Sequence, residues 1–363
     1  MVAAIPFGNA GRVRKGYVIG LSDKPKIAPE KIKEISEICS GEETTESRLI
    51  ALAAWMRENY GSTMIQALRT VLPIQEKIKA KEKKYICLDI SEEAGTQLLK
   101  ELEQTRFKAR TRLLRELLEK KRLDYTHAAK ELGTTSAVVK KFQEQGIIRI
   151  EYDEIMRTSL NTGDISGERR MPLTDEQEAA VKQIQREWKK PSPKPVLIEG
   201  VTGSGKTQVY IKLIEQTLSQ GKEVIVLIPE IALTYQTVRR FYARFGDKVS
   251  VINSRQSQGE RYDQFKRAKK GEVQVMIGPR SALFTPFASL GLIIIDEEHE
   301  PSYKSESTPR YHARETAIRR AVLEHANVVM GSATPSVEAY SKAMNGEYSL
   351  VRLTTRYGSR PLP

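Results

Sequence analysis

Cysteine is almost absent: Cys39 and Cys87 are the only two in 363 residues, and they do not form a CxxC pair. Neither a disulfide framework nor a cysteine-based zinc cluster can be built from them within this chain. Both are expected to be ordinary buried or half-buried thiols. Long apolar runs are missing too. The longest, such as Leu292 to Ile295, fall far short of the roughly 20 residues that a membrane helix needs. Met1 to Phe7 lacks the basic-then-apolar order of a signal peptide, so cytoplasmic residence is expected by default. Aromatic residues are somewhat sparse at 7%, although 39% hydrophobic residues suffice for several modest cores. There is no internal repeat and no low-complexity tract.

What is present is basic charge and a change of texture along the chain. Lys plus Arg number 59 against 46 for Asp plus Glu, a formal charge of +13. That surplus favours a polyanionic partner, nucleic acid ahead of a membrane surface. The length fits two or three domains. Residues 1–95 open with a strand-like segment, Tyr17 to Leu21, after a Gly- and Arg-rich turn. A helix over Glu46 to Thr70 follows, with Leu49, Leu52, Ala53, Met56, Ile65 and Leu68 at helical spacing. The lysines at 77, 79, 81, 83 and 84 read as a solvated linker or as phosphate contacts. Over 96–155 come a helix (Arg106 to Lys120), a short helix (Thr126 to Leu132), Gly133, a third helix (Ala137 to Gln145) and a strand (Ile147 to Ile150). That is the order of a winged helix-turn-helix. Its third helix offers Lys140 and Lys141 to DNA, unless the module binds protein. Residues 156–170 read as a linker.

From 171 to 363 apolar strands alternate with helical patterns, at Pro195–Glu199, Val224–Ile228, Val249–Asn253, Val273–Ile277, Leu292–Ile295 and Val328–Met330. Such runs imply a parallel sheet covered on both faces. The first strand leads into Gly200-Val201-Thr202-Gly203-Ser204-Gly205-Lys206-Thr207, a GxxxxGK[ST] phosphate loop opening a helix. Glycines let the backbone N–H groups wrap phosphate oxygens, Lys206 reaches the β- and γ-phosphates, and Thr207 holds Mg²⁺. The strand at 292–295 ends in Asp296 and Glu297. Asp296 stands where a carboxylate binds Mg²⁺, and Glu297 where one orients or deprotonates the attacking water. This pair specifies hydrolysis of a nucleotide rather than binding alone. Gln177, a short helix upstream, could pair with adenine through its amide, or be an exposed helical residue.

Asp296-Glu297-Glu298-His299 resembles the DEAD/DEAH box of superfamily 2 helicases, and Gly331-Ser332-Ala333-Thr334-Pro335 resembles their third motif. The resemblance implies that His299, Ser332 and Thr334 couple the nucleotide to DNA. Leu227 to Thr234, Gly278 to Phe287, and Asp296 to Lys304 followed by Arg310-Tyr311-His312-Ala313-Arg314 narrow the match. Together with Ile5 to Gly8 and Arg14 to Leu21, they resemble the PriA family of replication-restart DNA helicases over nearly the whole chain. This implies a RecA-like first lobe preceded by a winged helix and a small β-containing domain that binds DNA 3′ ends. It implies DNA contacts by Arg280 and Ser281. It also implies an aromatic-rich loop in which Tyr303, Lys304, Arg310, Tyr311 and His312 meet single-stranded DNA. Pro309 stands where the family usually has Trp, which implies weaker stacking.

The same resemblance implies 3′-to-5′ unwinding, branched DNA as substrate, and primosome or helicase-loading proteins and single-stranded-DNA-binding protein as partners. A monomer near the nucleoid is expected. The family's zinc module, second lobe and opening N-terminal strands have no counterpart in these residues. Weak ATP binding, little unaided unwinding and no zinc site are therefore expected. Two alternatives stay open: another superfamily 2 translocase, or a non-catalytic DNA-binding form.

Overall fold

The computed structural model describes residues 2–7, 12–18, 21–24, 28–40, 45–72, 81–105, 107–155 and 172–356. They fall into two compact units, one built from Met1–Lys77 with Ser159–Pro363 and the other from Ile78–Thr158. The first unit begins with β1 (Val2–Phe7), β2 (Arg12–Tyr17) and β3 (Glu37–Ser40), an antiparallel sheet in the order β2-β1-β3. Of the strand expected at Tyr17 to Leu21, Tyr17 ends β2, Val18 and Leu21 lie in no strand, and residues 19–20 lie outside the described residues. Val2 pairs with Tyr17 and Phe7 with Arg12, so the Arg-rich segment itself is the strand. The single helix expected over 46–70 is two, α1 (Thr45–Asn59) and α2 (Met64–Val71). Gly61 breaks it with a φ of +56°, which suits glycine. Thr63 and Gln66 then cap the new start reciprocally.

The second unit contains β4 (Lys81–Leu88), α3 (Glu92–Glu103), α4 (Lys108–Lys120), β5 (Arg122–Asp124), α5 (Tyr125–Lys130), α6 (Ser136–Glu144) and β6 (Ile148–Ile155). The antiparallel sheet runs β5-β4-β6. Leu113, Leu114 and Leu117 of α4 pack with Ile86, Leu123, Val139, Phe142 and Ile148. Helix, helix, glycine turn, helix and strand follow one another in the expected order. The boundary drawn at 95 does not fall between the units, because β4 pairs along its full length with β6. Lys81, Lys83 and Lys84 therefore belong to a strand and not to a linker. Among the described residues, Tyr85 to Cys87 also pair with β5. Lys77, Lys79 and the expected linker at 156–170 lie outside the described residues.

The rest of the first unit is the lobe. It comprises α7 (Asp175–Trp188), β7 (Val196–Gly200), α8 (Lys206–Ser219), β8 (Glu223–Leu227), α9 (Tyr235–Phe245), β9 (Val249–Val251) and α10 (Gln258–Lys269). β10 (Val275–Gly278), β11 (Leu290–Asp296), α11 (Ala313–Glu324), β12 (Asn327–Ser332), α12 (Val337–Met344) and β13 (Ser349–Leu353) follow. Seven strands run in the order β13-β7-β12-β11-β8-β10-β9, every pair parallel. This is a RecA-like sheet, and all six strands read from sequence are in it. The seventh, β13, escaped notice. Among the described residues it pairs with β7 alone, and its exposed Arg352 interrupts the apolar signal.

Period-two alternation sends the side chains of each strand to two cores. Val224, Val226, Leu292 and Ile294 pack under α7, α8 and α9. Ile225, Leu227, Ile293 and Ile295 pack on the other side with Ala313, Ala317 and Ala321 of α11. Leu49, Leu52, Ala53 and Met56 of α1, with Ala67 and Val71 of α2, belong to that second core. The N-terminal helices thus complete the lobe. A buried charge cluster locks the joint. Arg320 on α11 donates from Nε to Glu324 at 3.1 Å and from Nη2 to the Thr285 carbonyl at 2.7 Å. It also donates to the Leu283 carbonyl. Arg48 of α1 reaches the same Glu324 at 3.2 Å.

Removing the Arg320 guanidinium leaves Glu324 buried with Arg48 as its one ion-pair partner among the described residues. Arg320→Ala should therefore cost about 3–5 kcal/mol of stability, read as a lower urea midpoint. A midpoint unchanged from wild type would refute this account of the joint.

Candidate functional site

The carboxyl ends of β7, β8, β10, β11 and β12 open on one edge of the sheet, where ligands of such sheets bind. β7 delivers Gly200 to Thr207. Gly203 and Gly205 have φ of +84° and +80°, so the loop bends tightly before α8 starts at Lys206. Val201, Thr202 and Gly203 are exposed, whereas Ser204 and Lys206 are buried. The Lys206 ammonium donates to the Gly200 carbonyl at 2.8 Å, which keeps it along the floor of the loop. Thr207 follows, half-buried, at the helix N-terminus.

Gln177 is not arranged to meet adenine. It is 1% exposed. Its Nε2 donates to the Ser204 carbonyl at 2.8 Å, and its Oε1 accepts from the Thr174 N–H at 3.1 Å. An adenine contact needs an accessible amide edge, and this one is enclosed. Gln177 instead closes the capping box of α7 and braces the loop from below. A Cβ at Gly205 would collide with its amide.

Asp296 ends β11. The Tyr210 hydroxyl, one helical turn beyond Lys206, donates to its Oδ1 at 3.0 Å. Burial first, and then the Glu297 charge, push the Asp296 carboxyl from 3.8 up to about 6. Burial likewise raises the Tyr210 phenol, which therefore stays a donor. Gly331 of β12 lies opposite, and a Cβ there would overlap the Tyr210 hydroxyl. Tyr210 was not singled out from sequence, although it falls four residues after the loop lysine, on the face of α8 that must meet the sheet.

Glu297 has a φ of +47°, a left-handed backbone rare for a residue with a side chain and typical of functional turns. The turn is fixed by the Glu298 N–H donating to the Gly331 carbonyl at 3.0 Å. From it Glu297 approaches His299 Nδ1 at 3.7 Å, and the same nitrogen shares a 2.7 Å hydrogen bond with Ser332 Oγ. Ser332 Oγ also accepts from the Thr334 N–H at 3.0 Å. The structure thus joins Glu297, His299, Ser332 and Thr334 in one chain of contacts. Thr334 enters through its backbone, and its side chain is exposed. Glu298 has a different task. It is buried and paired with Arg314, and it accepts from the Ser336 N–H at 3.1 Å and hydroxyl at 2.8 Å. Neither Arg314 nor Ser336 was expected there.

The loop expected to stack on DNA bases is arranged otherwise. Tyr303 is 1% exposed. Its hydroxyl donates to the carbonyls of Asp296 at 2.6 Å and Leu227 at 3.0 Å. Tyr311 is 4% exposed and sits edge-on to Phe284, with ring centroids 5.4 Å apart. Both rings are core side chains, so neither offers a face to a base. His312 caps α11 by accepting from the Arg314 N–H at 3.2 Å. Burial, and then the Arg314 charge, hold its ring below the usual range and so neutral at neutral pH. Arg280 is half-buried and donates from Nη1 to the Ser302 and Lys304 carbonyls at 2.7 and 3.0 Å. Ser281 is half-buried beside it. Lys304 and Arg310 remain exposed, as do Lys140 and Lys141 in the second unit.

This donor set fits a nucleoside triphosphate with Mg²⁺. The loop is cradle-shaped, the Ser204 hydroxyl inside it is buried without a partner among the described residues, and the half-buried Asp296 carboxylate stands opposite. Thr207 and Asp296 would hold the ion, whose remaining ligands are ordinarily phosphate and water. Among the described residues no three His, Cys, Asp or Glu side chains converge on a metal site of their own.

The raised Asp296 pKa carries a sign. Its charge opposes folding, so stability falls as pH rises from about 4 to about 6 and is level above. Asp296→Asn should raise stability at pH 7 by up to about 3 kcal/mol, lose that gain below pH 4, and abolish Mg²⁺-dependent nucleotide binding. A thermal midpoint that does not rise at pH 7 would show that the carboxyl is not strained by burial. Gly331→Ala, which displaces Tyr210, should lower stability and weaken Mg²⁺-nucleotide binding together, read by melting and titration of the same sample.

The DEAD/DEAH box helicase family model matches residues 174–343, and the 3′DNA-binding domain (3′BD) model matches residues 1–73. The replication restart protein PriA of Bacillus subtilis is 46% identical over 234 residues, 64% of this chain and 29% of that protein. PriA of Chlamydia muridarum is 35% identical over 349 residues, 93% of this chain and 45% of that protein. PriA of Haemophilus influenzae is 33% identical over 372 residues, 99% of this chain and 49% of that protein. The chain thus spans at most about half the length of these relatives. Over the part that it spans, with a 3′ DNA-binding domain followed by a helicase lobe, the chain belongs to the PriA family.

Proposed function

We propose that this chain is the DNA-end-binding and ATP-binding part of a 3′-to-5′ DNA helicase that recognises branched replication forks and initiates replication restart. One observation carries the reading: two contact chains meet at adjacent residues, one from Tyr210 on the helix after the phosphate loop to Asp296, the other from Glu297 through His299 and Ser332 to the third motif. Such a network has a use where nucleotide state must be reported to a second ligand. Lys206 and the loop N–H groups bind and orient the phosphates. Glu297, lifted out of the strand by its left-handed turn, is placed to orient the attacking water and take its proton. Magnesium, when bound, supplies positive charge at the phosphate oxygens. Arg280 and Ser281 line the DNA side, with the exposed Lys304 and Arg310 as phosphate contacts.

The second unit is read as a winged helix. α6 would be the helix that meets DNA, through Lys140 and Lys141. Primosome or helicase-loading proteins and single-stranded-DNA-binding protein would be partners of the whole protein, which would work as a monomer in the cytoplasm near the nucleoid. The described residues include no helix long and apolar enough to cross a membrane.

Two measurements test this. Lys206→Ala should weaken Mg²⁺-nucleotide binding at least about tenfold, the scale of losing one charge-assisted phosphate contact, and leave DNA binding intact. Any ATP turnover that survives the substitution would sink the phosphate-loop assignment. At one fixed salt concentration, a fork with a nascent 3′ end at its branch should bind more tightly than a fork lacking it, plain duplex or single strand. Equal, salt-sensitive binding to all four would mean that fork recognition does not reside in these residues.

A further inference from the structure

The 3′ DNA-binding domain match runs to residue 73 and so includes α1 and α2, the two helices that complete the lobe core. At the end of α1, Trp55 meets Tyr60 edge-on, with ring centroids 5.6 Å apart. Beyond it, Tyr60 leaves the N-terminal domain altogether. The Lys304 ammonium stands 5.4 Å over its half-buried ring. Lys304 and His312 are the two sides of one antiparallel bridge, so Tyr60 holds the Lys304 side of the loop at its base. The residue before Lys304 is Tyr303, whose hydroxyl holds the main-chain carbonyl of Asp296. From the end-binding domain to the Mg²⁺ carboxylate the path is therefore Tyr60, the Lys304–His312 bridge, Tyr303 and Asp296, with a direct contact at every step.

We propose that Tyr60 is a positioning residue that couples occupancy of the 3′ DNA-binding domain to the nucleotide site by steadying the Lys304–His312 bridge. The inference rests on the nucleotide-site and end-binding readings above, but it adds an input that neither contains. DNA is sensed from behind the loop, through the N-terminal helices, independently of any strand crossing the lobe. A DNA end that orders the N-terminal domain would pre-order the loop, so the nucleotide would have less to order when it binds. Coupling is then positive and, by linkage, reciprocal.

The test uses this chain and two short single-stranded oligonucleotides, one ending in a 3′-hydroxyl and one blocked by a 3′-phosphate. The Kd of a fluorescent ATP analogue with Mg²⁺ is measured with each. In wild type the 3′-hydroxyl strand should tighten the nucleotide about fivefold relative to the blocked strand, the lower end of ordinary allosteric coupling. Tyr60→Leu keeps an apolar side chain there and removes the ring face that Lys304 covers, whereas Tyr60→Phe keeps that face. The leucine variant should bring that ratio to near one and the phenylalanine variant should keep it, while the Kd for each ligand alone stays at its wild-type value in both. Equal nucleotide affinity with both strands in wild type, a ratio that survives Tyr60→Leu, or one that Tyr60→Phe abolishes, would overturn the proposal. A wild-type chain that binds both ligands without coupling refutes this inference alone. One that binds neither refutes the proposed function and this inference with it.

Discussion

A carboxylate at the end of an entirely apolar strand is the constraint from which much of this lobe follows. β11 is buried from Leu290 to Ile295, and Asp296 ends it with a charge that its surroundings resist. Two tyrosines answer that problem from different sides. Tyr210 meets the side chain and Tyr303 the backbone carbonyl. Around them, Gly331 must lack a side chain, α8 must enter at Lys206, and the loop after Glu300 must fold inward. Packing that keeps Asp296 partly from water also strengthens its attraction for a cation and for Lys206. A charge placed there costs stability, as is usual where stability and function compete.

The box of three acids and a histidine divides its labour by geometry. Asp296 stays with the strand and Glu297 is thrown out by a left-handed turn. Glu298 turns inward to Arg314 and Ser336, and His299 bridges to Ser332. Four consecutive residues thereby face four environments. The irregular backbone is what makes this possible, since a continued strand would put alternate residues on the same face.

Much of this was legible in the sequence, because phosphate loops and buried strands are local signals. The glycine spacing, Lys206, Asp296 and Glu297, and six of the seven sheet strands could be read from patterns within a few residues. Tyr303 and Tyr311 could not be placed correctly, because an aromatic loop written in sequence looks the same whether its rings face water or the core. Only the long-range partners decide, here Leu227, Phe284 and Asp296. Gln177 misled for a similar reason: the amide that could read a base serves a capping box at one end and the phosphate loop at the other. The N-terminal helices carried a clear apolar face, but the identity of the opposing surface, more than 200 residues away, is not written locally.

The first unit is discontinuous in sequence, interrupted by the whole of the second. During synthesis α1 and α2 emerge well before the lobe's strands, with Leu52, Ala53 and Met56 seeking partners that have not yet been made. At ordinary translation rates of about 5–20 residues per second, β11 and β12 follow on the order of tens of seconds later. The intervening unit has its own core and can fold during that delay. The apolar face of α1 must meanwhile stay unpaired, which makes the nascent chain most vulnerable to aggregation well before its catalytic residues exist.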